Sequence, residues 1–192
     1  MSLTGLMIML AVTFGGAGGS AGAAAGEPGA MVLGNETRFS DSLLGGLSDE
    51  FYGLQLTPRG DRICHVKAFF RGAPPQSAHF CRGRVTAWHM RNSTVAATGL
   101  GERLTGLGVC FDDREIVRGV RLHASSGDTL MADFGECTTA YESVHCRDGW
   151  FVQGVQLFFD GLDSGRFHRR LVGVRPLCSV LTGVPPQRSD ID

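Results

Sequence analysis

Apolar and polar residues alternate with period two in short runs along this chain, and glycine, proline and small polar residues separate the runs. Ile63-Cys64-His65-Val66-Lys67-Ala68-Phe69-Phe70 and Ile116-Val117-Arg118-Gly119-Val120-Arg121-Leu122 show the pattern plainly. A period of two is that of a strand with one buried face. Ser125-Ser126-Gly127-Asp128 is a hairpin turn sequence, so Thr129–Phe134 reads as a return strand. Phe51–Leu56 is a further strand, and Ala73-Pro74-Pro75-Gln76 breaks the pattern after Phe70. Runs rich in Glu, Lys and Ala, which build long helices, are missing. The expected fold class is therefore all-β, an array of short antiparallel strands.

The strands echo one another. Gly53-Leu54-Gln55-Leu56, Gly106-Leu107-Gly108-Val109, Gly119-Val120-Arg121-Leu122 and Gly154-Val155-Gln156-Leu157 share one pattern, and Gly173-Val174-Arg175-Pro176-Leu177 is a stretched fifth case. Glycine inside a strand weakens it and is kept where a bulge or a close neighbouring backbone requires it. A longer phrase also recurs. Cys146-Arg147-Asp148-Gly149-Trp150 opens it and Arg170-Leu171-Val172-Gly173-Val174 leads to Cys178; earlier, Cys81-Arg82-Gly83-Arg84-Val85-Thr86-Ala87-Trp88 opens it and Arg103-Leu104-Thr105-Gly106 leads to Cys110. Self-similarity of this kind predicts a duplicated or triplicated β unit. The units fall at about 81–110 and 146–178, with 51–70 a candidate degenerate third, inside a domain spanning 50–180. Residues 26–49 read as an irregular N-terminal arm and 181–192 as a polar tail.

Composition narrows the setting. At 192 residues the chain is one domain by length, and its net charge of −1 with scattered Lys and Arg leaves no electrostatic footprint for nucleic acid. Residues 1–26 carry no charge; Leu6–Phe14 is an apolar run of signal-peptide length, and Ala21-Gly22-Ala23 and Ala23-Ala24-Ala25 fit a small-residue cleavage site. Residues 1–25 are thus expected to be a signal peptide, with secreted protein beginning near Gly26. The missing basic flank leaves an uncleaved anchor as the alternative. No second apolar run suggests integral membrane association. Six cysteines and two acceptor triplets, Asn35-Glu36-Thr37 and Asn92-Ser93-Thr94, agree with a disulfide-bonded extracellular glycoprotein. If the repeated phrase marks true duplicates, equivalent cysteines bond equivalently. That favours Cys81–Cys110, Cys146–Cys178 and Cys64–Cys137, against a local pattern of Cys64–Cys81, Cys137–Cys146 and Cys110–Cys178.

Candidate chemistry is sparse. The histidines lack zinc-ligand spacing, so they read as structural or solvated and no metal or cofactor is expected. Asp160-Gly161-Leu162-Asp163-Ser164-Gly165 offers carboxylates but reads as a polar turn, since it lacks the pattern of a calcium loop. Asp112, Asp113 and Glu115 lie with Arg114 on one turn and read as solvated charges. Trp88 and Trp150 hold similar places in the two phrases. Such rings stack on sugar faces, although burial in a core is the commoner fate of tryptophan. Trp88, Trp150, Asp160 and Asp163 are the candidate ligand-binding residues.

Val117–His123 with Ser126–Leu130, and Cys146–Phe151 running on to Arg170–Val174, resemble the strands and turns of vitelline membrane outer layer proteins. Ile116–Gly135 is also similar to a strand, hairpin and Phe-Gly turn of jacalin-related lectins. Both resemblances imply a β-prism. Jacalin-type lectins bind sugars through a Gly-rich N-terminal loop and a C-terminal Gly-x-x-x-Asp loop. Neither has an equivalent here, so no sugar-binding residue carries over. The expected function is a secreted, non-enzymatic protein that binds glycans or extracellular glycoproteins, or forms part of an extracellular coat. The alternatives are a secreted carbohydrate-active enzyme using Asp112, Glu115 or Asp160, and a secreted ligand or decoy for another protein.

Overall fold

The structure is a computed structural model that describes residues 31–180 except 47, 82–83 and 161–168. The expected leader and C-terminal tail lie outside the described residues, as does Asp163. Two short strands come first, β1 (Leu33–Gly34) and β2 (Phe39–Leu44). A long hairpin follows, β3 (Glu50–Arg59) and β4 (Arg62–Arg71), then β5 (Gln76–His79), the single-turn helix α1 (Ala87–Arg91) and β6 (Thr94–Ala97). The pattern repeats with the hairpin β7 (Leu104–Phe111) and β8 (Val117–Ala124), followed by β9 (Thr129–Asp133) and β10 (Glu142–His145). The last hairpin is β11 (Phe151–Phe159) and β12 (Leu171–Ser179).

These strands make three four-stranded antiparallel sheets, ordered β5-β4-β3-β6, β10-β7-β8-β9 and β1-β12-β11-β2. In each, a long hairpin forms the centre. The next strand in the chain pairs with the second hairpin strand, and the one after that returns to the first. The third sheet obeys the same rule by borrowing its two flanking strands from the start of the chain, so 33–44 completes the sheet that 151–179 begins. The array of short antiparallel strands expected from the sequence is present, in three copies.

The three copies match residue by residue. Each first hairpin strand carries a bulge just before its glycine, between Phe51 and Gly53, Leu104 and Gly106, and Val152 and Gly154. A second bulge falls four residues later in each, after Thr57, Cys110 and Phe158. The bulge re-aims the strand so that the next residues, Leu54 and Leu56, Leu107 and Val109, Val155 and Leu157, all turn inward and are at most 1% exposed. Opposite them Val66 and Ala68, Leu122 and Val120, and Val174 complete the core. Fully burying each Leu or Val contributes about 1.5–3 kcal/mol. The glycines themselves face outward, where the flanking strand leans over them: a Cβ on Gly53, Gly106 or Gly154 would lie 2.7, 2.6 or 2.2 Å from a carbonyl oxygen of β6, β10 or β2.

Edges meet edges. β6 lies against β9, β2 against β5 and β1 against β10, which closes the three sheets into a triangular prism around one core. The Gln76 amide spans the β2–β5 seam, donating to Leu44 O at 2.7 Å and accepting from Leu44 N at 3.0 Å.

Four sequence expectations change. The irregular arm expected at 26–49 contains two strands, because the polar run Phe39-Ser40-Asp41-Ser42 finds its partner in β11, far along the chain. The units expected at 81–110 and 146–178 do not coincide with the sheets: Cys81 lies after β5 and Cys110 ends β7 in the next sheet, whereas Cys146 precedes β11 and Cys178 closes β12. Residues 51–70 form the central hairpin of the first sheet, a full unit of four strands and not a degenerate one. The disulfides are Cys64–Cys81, Cys110–Cys137 and Cys146–Cys178. Only the last is in the favoured pairing; the first two tie the segment that follows a sheet's third strand back to that sheet's own hairpin.

Candidate functional site

Register fixes where the connections lie. His79 pairs with His65 and Thr94 with Leu56, so the segment carrying α1 crosses beside the β3–β4 turn. Asp133 pairs with Gly119 and Glu142 with Val109, which puts 134–141 beside the β7–β8 turn. Gly34 pairs with Gly173 and Phe39 with Phe159, which puts 35–38 beside the end of β11 and the start of β12. Side chains join the three ends. Arg118 donates to Asp61 O in the first hairpin's turn, and Asn35 Nδ2 donates to Glu115 Oε2 at 2.8 Å. The β3–β4 and β7–β8 turns, the adjoining ends of β11 and β12, and the segments that cross beside them therefore gather at one end of the prism.

This hairpin end holds two of the four candidate ligand residues. Trp88 lies on α1 and is 66% exposed, with no residue of α1 buried. The expected core burial is not found, because five helical residues lying outside a sheet have no apolar layer to enter. The helix is held instead by Thr86, whose N–H donates to His89 Nδ1 at 3.1 Å, and by Ser93 Oγ, 2.8 Å from Thr57 Oγ1. Asp160 follows β11 and is committed to Arg170, accepting from its backbone N–H at 2.5 Å and from its guanidinium. Trp150 is at the opposite end, before Phe151, half-buried with the Arg147 guanidinium 3.7 Å from its ring centre. The structure therefore does not bring the two tryptophans together. Both acceptor asparagines, Asn35 and Asn92, are exposed at the hairpin end, and Asn92 Nδ2 donates to Trp88 O at 3.2 Å.

The acidic turn differs from its expected form. Asp112 is 6% exposed, and its carboxylate accepts from the N–H groups of Arg114 and Ile116, each at 2.9 Å, and from Arg118 Nε and Nη2 at 2.9 and 2.6 Å. Burial works to raise its pKa. The donors from Ile116, Arg118 and Arg114 outweigh burial and hold it below the ordinary value. It is thus a buried anchor that shapes the turn, and not the solvated charge that its neighbours suggest. With that turn fixed, Glu115 takes a left-handed φ of 59° and remains exposed beside Asn35. Glu36, on the same rim, pairs with Arg175 at 2.9 Å.

Sequence reasoning did not single out Glu36, Arg170 or Arg175 because each gains its role from a partner in another segment. Among the described residues, no group of three or more His, Cys, Asp or Glu could hold a metal ion, and no helix is long and apolar enough to cross a membrane.

No family model and no curated protein matches the chain. Solved structures do. The agglutinin of Calystegia sepium aligns with 80% of this chain and 98% of its own at a TM-score of 0.54 and 12% identity. A mannose-binding lectin from champedak aligns with 79% and 97% at 0.50 and 11%. A lamprey immune protein aligns with 75% of this chain and 42% of its own at 0.52 and 13%. At these identities the likeness concerns the backbone alone. The two plant proteins are jacalin-related β-prism lectins, and the fold of this chain is the β-prism.

Proposed function

We propose that this chain is a secreted, glycosylated glycan-binding protein that engages carbohydrate at the hairpin end of the prism. The observation that carries this reading is the exposed Trp88 ring at the same end as the exposed carboxylate of Glu115. A sugar ring offers an apolar face to an indole and hydroxyls to a polar rim. The fold supports the reading: a lectin of this architecture from Calystegia has been solved with a biantennary N-glycan, and the champedak relative is mannose-binding. Three disulfides fit an oxidising, extracellular compartment.

Asn35 and Asn92 are the proposed oligosaccharide acceptors. A chain on Asn92 would stand one helical turn from Trp88, so occupancy there competes with an incoming ligand. The test is a glycan array probed with wild-type protein, N92Q, W88A and E115A. Binding by wild type or N92Q that W88A lowers roughly tenfold or more supports the site, a loss of the size seen at anchor residues. Equal binding by W88A overturns it, and silence of all four proteins across the array overturns glycan recognition.

A further inference from the structure

The outer face of the second sheet carries a feature that glycan recognition at the hairpin end does not use. His123 on β8 and His145 on β10 both pair with Gly106 on the strand between them. Gly106 has no side chain, so the two imidazoles lean toward each other over bare backbone and their ring centres come within 4.7 Å. A Cβ at Gly106 would lie 2.7 Å from His145 Nδ1, which places that nitrogen above the glycine. In the corresponding rows of the other sheets, Gly53 lies between Phe69 and Ala97 and Gly154 between Leu177 and Leu44. An imidazole pair set across a strand glycine is therefore particular to this sheet; the first sheet's His65 and His79 face each other directly on neighbouring strands, with ring centres 6.2 Å apart.

The groups around the pair suit a cation ligand. His123 Nε2 is 3.0 Å from Ser143 Oγ, and Thr129 Oγ1 is 3.4 Å from His123 Nδ1. These hydroxyls can turn to accept from or donate to either ring nitrogen. Arg121, on the same strand as His123, has its guanidinium 3.6 Å from the Tyr141 ring centre. Neutral imidazole suits zinc, copper and nickel. Nitrogens on rings this close come within reach of a single ion about 2.1 Å from each after a rotation of the side chains.

We infer that His123 and His145 form a two-imidazole site for a divalent transition-metal cation of the zinc class on the outer face of the second sheet, with the remaining coordination positions open to Ser143, water or an incoming ligand. Imidazole of ordinary pKa is already largely neutral at neutral pH, the form that binds such ions.

Titration of the full disulfide-bonded protein with zinc chloride, followed through the histidine ring protons by NMR at near-neutral pH, tests the site. Resonances of His123 and His145 are expected to shift together and saturate below about 1 mM zinc, with those of His65 and His79 unmoved. H123Q and H145Q, both changes at the surface, should each weaken binding roughly tenfold or more, since a lone imidazole is a poor ligand. Unshifted His123 and His145 resonances at that concentration overturn the proposal. So does saturable binding that persists unchanged in H145Q. The same spectra report the fold of each variant, so a lost site is distinguished from a lost structure.

Discussion

Arg118 grips the buried carboxylate of Asp112 with two nitrogens, at 2.9 and 2.6 Å, while its third nitrogen reaches Asp61 in the neighbouring hairpin. One ion pair thus shapes the β7–β8 turn and fastens it to the β3–β4 turn. Asp112→Ala leaves Arg118 and two backbone N–H groups without their acceptor and is expected to cost about 3 kcal/mol in chemical denaturation. The pair also sets a pH dependence. Asp112 has a folded-state pKa below its unfolded value of 3.8, so its contribution is complete above that value. It is lost as the pH falls through the folded-state pKa. Asp112→Asn should flatten the acid limb of the stability curve, and an unchanged limb would count against the assignment.

The bulge glycines make a second prediction. Gly154→Ala would drive a methyl group to 2.2 Å from Leu43 O and 2.9 Å from Leu44 Cα, both backbone atoms that move only if β2 moves. A cost of about 2–3 kcal/mol is expected, as for overpacking. Gly60→Ala provides the contrast. Gly60 has φ of +67° but nothing within 4 Å of a Cβ, so only the left-handed backbone resists, at about 1–2 kcal/mol. Equal losses in the two variants would mean that β2 yields easily.

The same glycines explain what the sequence reveals and what it hides. Gly53, Gly106 and Gly154 were legible as a repeat because each answers a local need, a bulge under an overhanging strand, and local needs leave local marks. The cysteine phrase was misleading for the opposite reason. Cys81-Arg82 and Cys146-Arg147 look alike as sequence, but Cys81 follows a third strand and Cys146 precedes a first. β2 was invisible because its only buried side chain is Leu43, and its partner β11 is more than a hundred residues away. Of the site, Trp88 could be found as a residue type, but its exposure depends on α1 lying outside the sheets. Asp112 looked solvated because two of its donors are its own turn's N–H groups, which any sequence would supply, and the other two come from Arg118 on the next strand.

Disulfide connectivity is directly measurable. Non-reduced peptide mapping should yield Cys64–Cys81, Cys110–Cys137 and Cys146–Cys178. A Cys81–Cys110 peptide would restore the phrase-based pairing and would require the segment after β5 to be rearranged. Chain entropy over separations of 17, 27 and 32 residues gives each bridge about 3–4 kcal/mol. Cys146 and Cys178 anchor the start of β11 to the end of β12 in the sheet that also needs the N-terminal strands. Replacing both with alanine should therefore lower the denaturation midpoint, and an unchanged midpoint would show that strand pairing alone holds this end.

The imidazole pair over Gly106 leads to the last prediction, independent of any metal. Burial is the largest influence on His123 and disfavours its charged form; His145 and then Arg121 add to it. The folded-state pKa therefore lies below the ordinary 6.5, and the folded protein takes up fewer protons than the unfolded chain between those two values. By linkage, stability is fully present above pH 6.5 and declines as the pH falls toward the folded-state pKa of His123. His145→Gln removes the second influence and leaves the first. The NMR-derived pKa of His123 should rise in that variant without reaching 6.5, and the loss of stability on mild acidification should shrink. His79→Gln supplies the control, because His79 acts on His65 in the first sheet, where burial again leads and Lys67 comes third. It should raise the pKa of His65 and leave His123 alone. A His123 pKa that does not move in His145→Gln would mean that the rings do not face each other in solution.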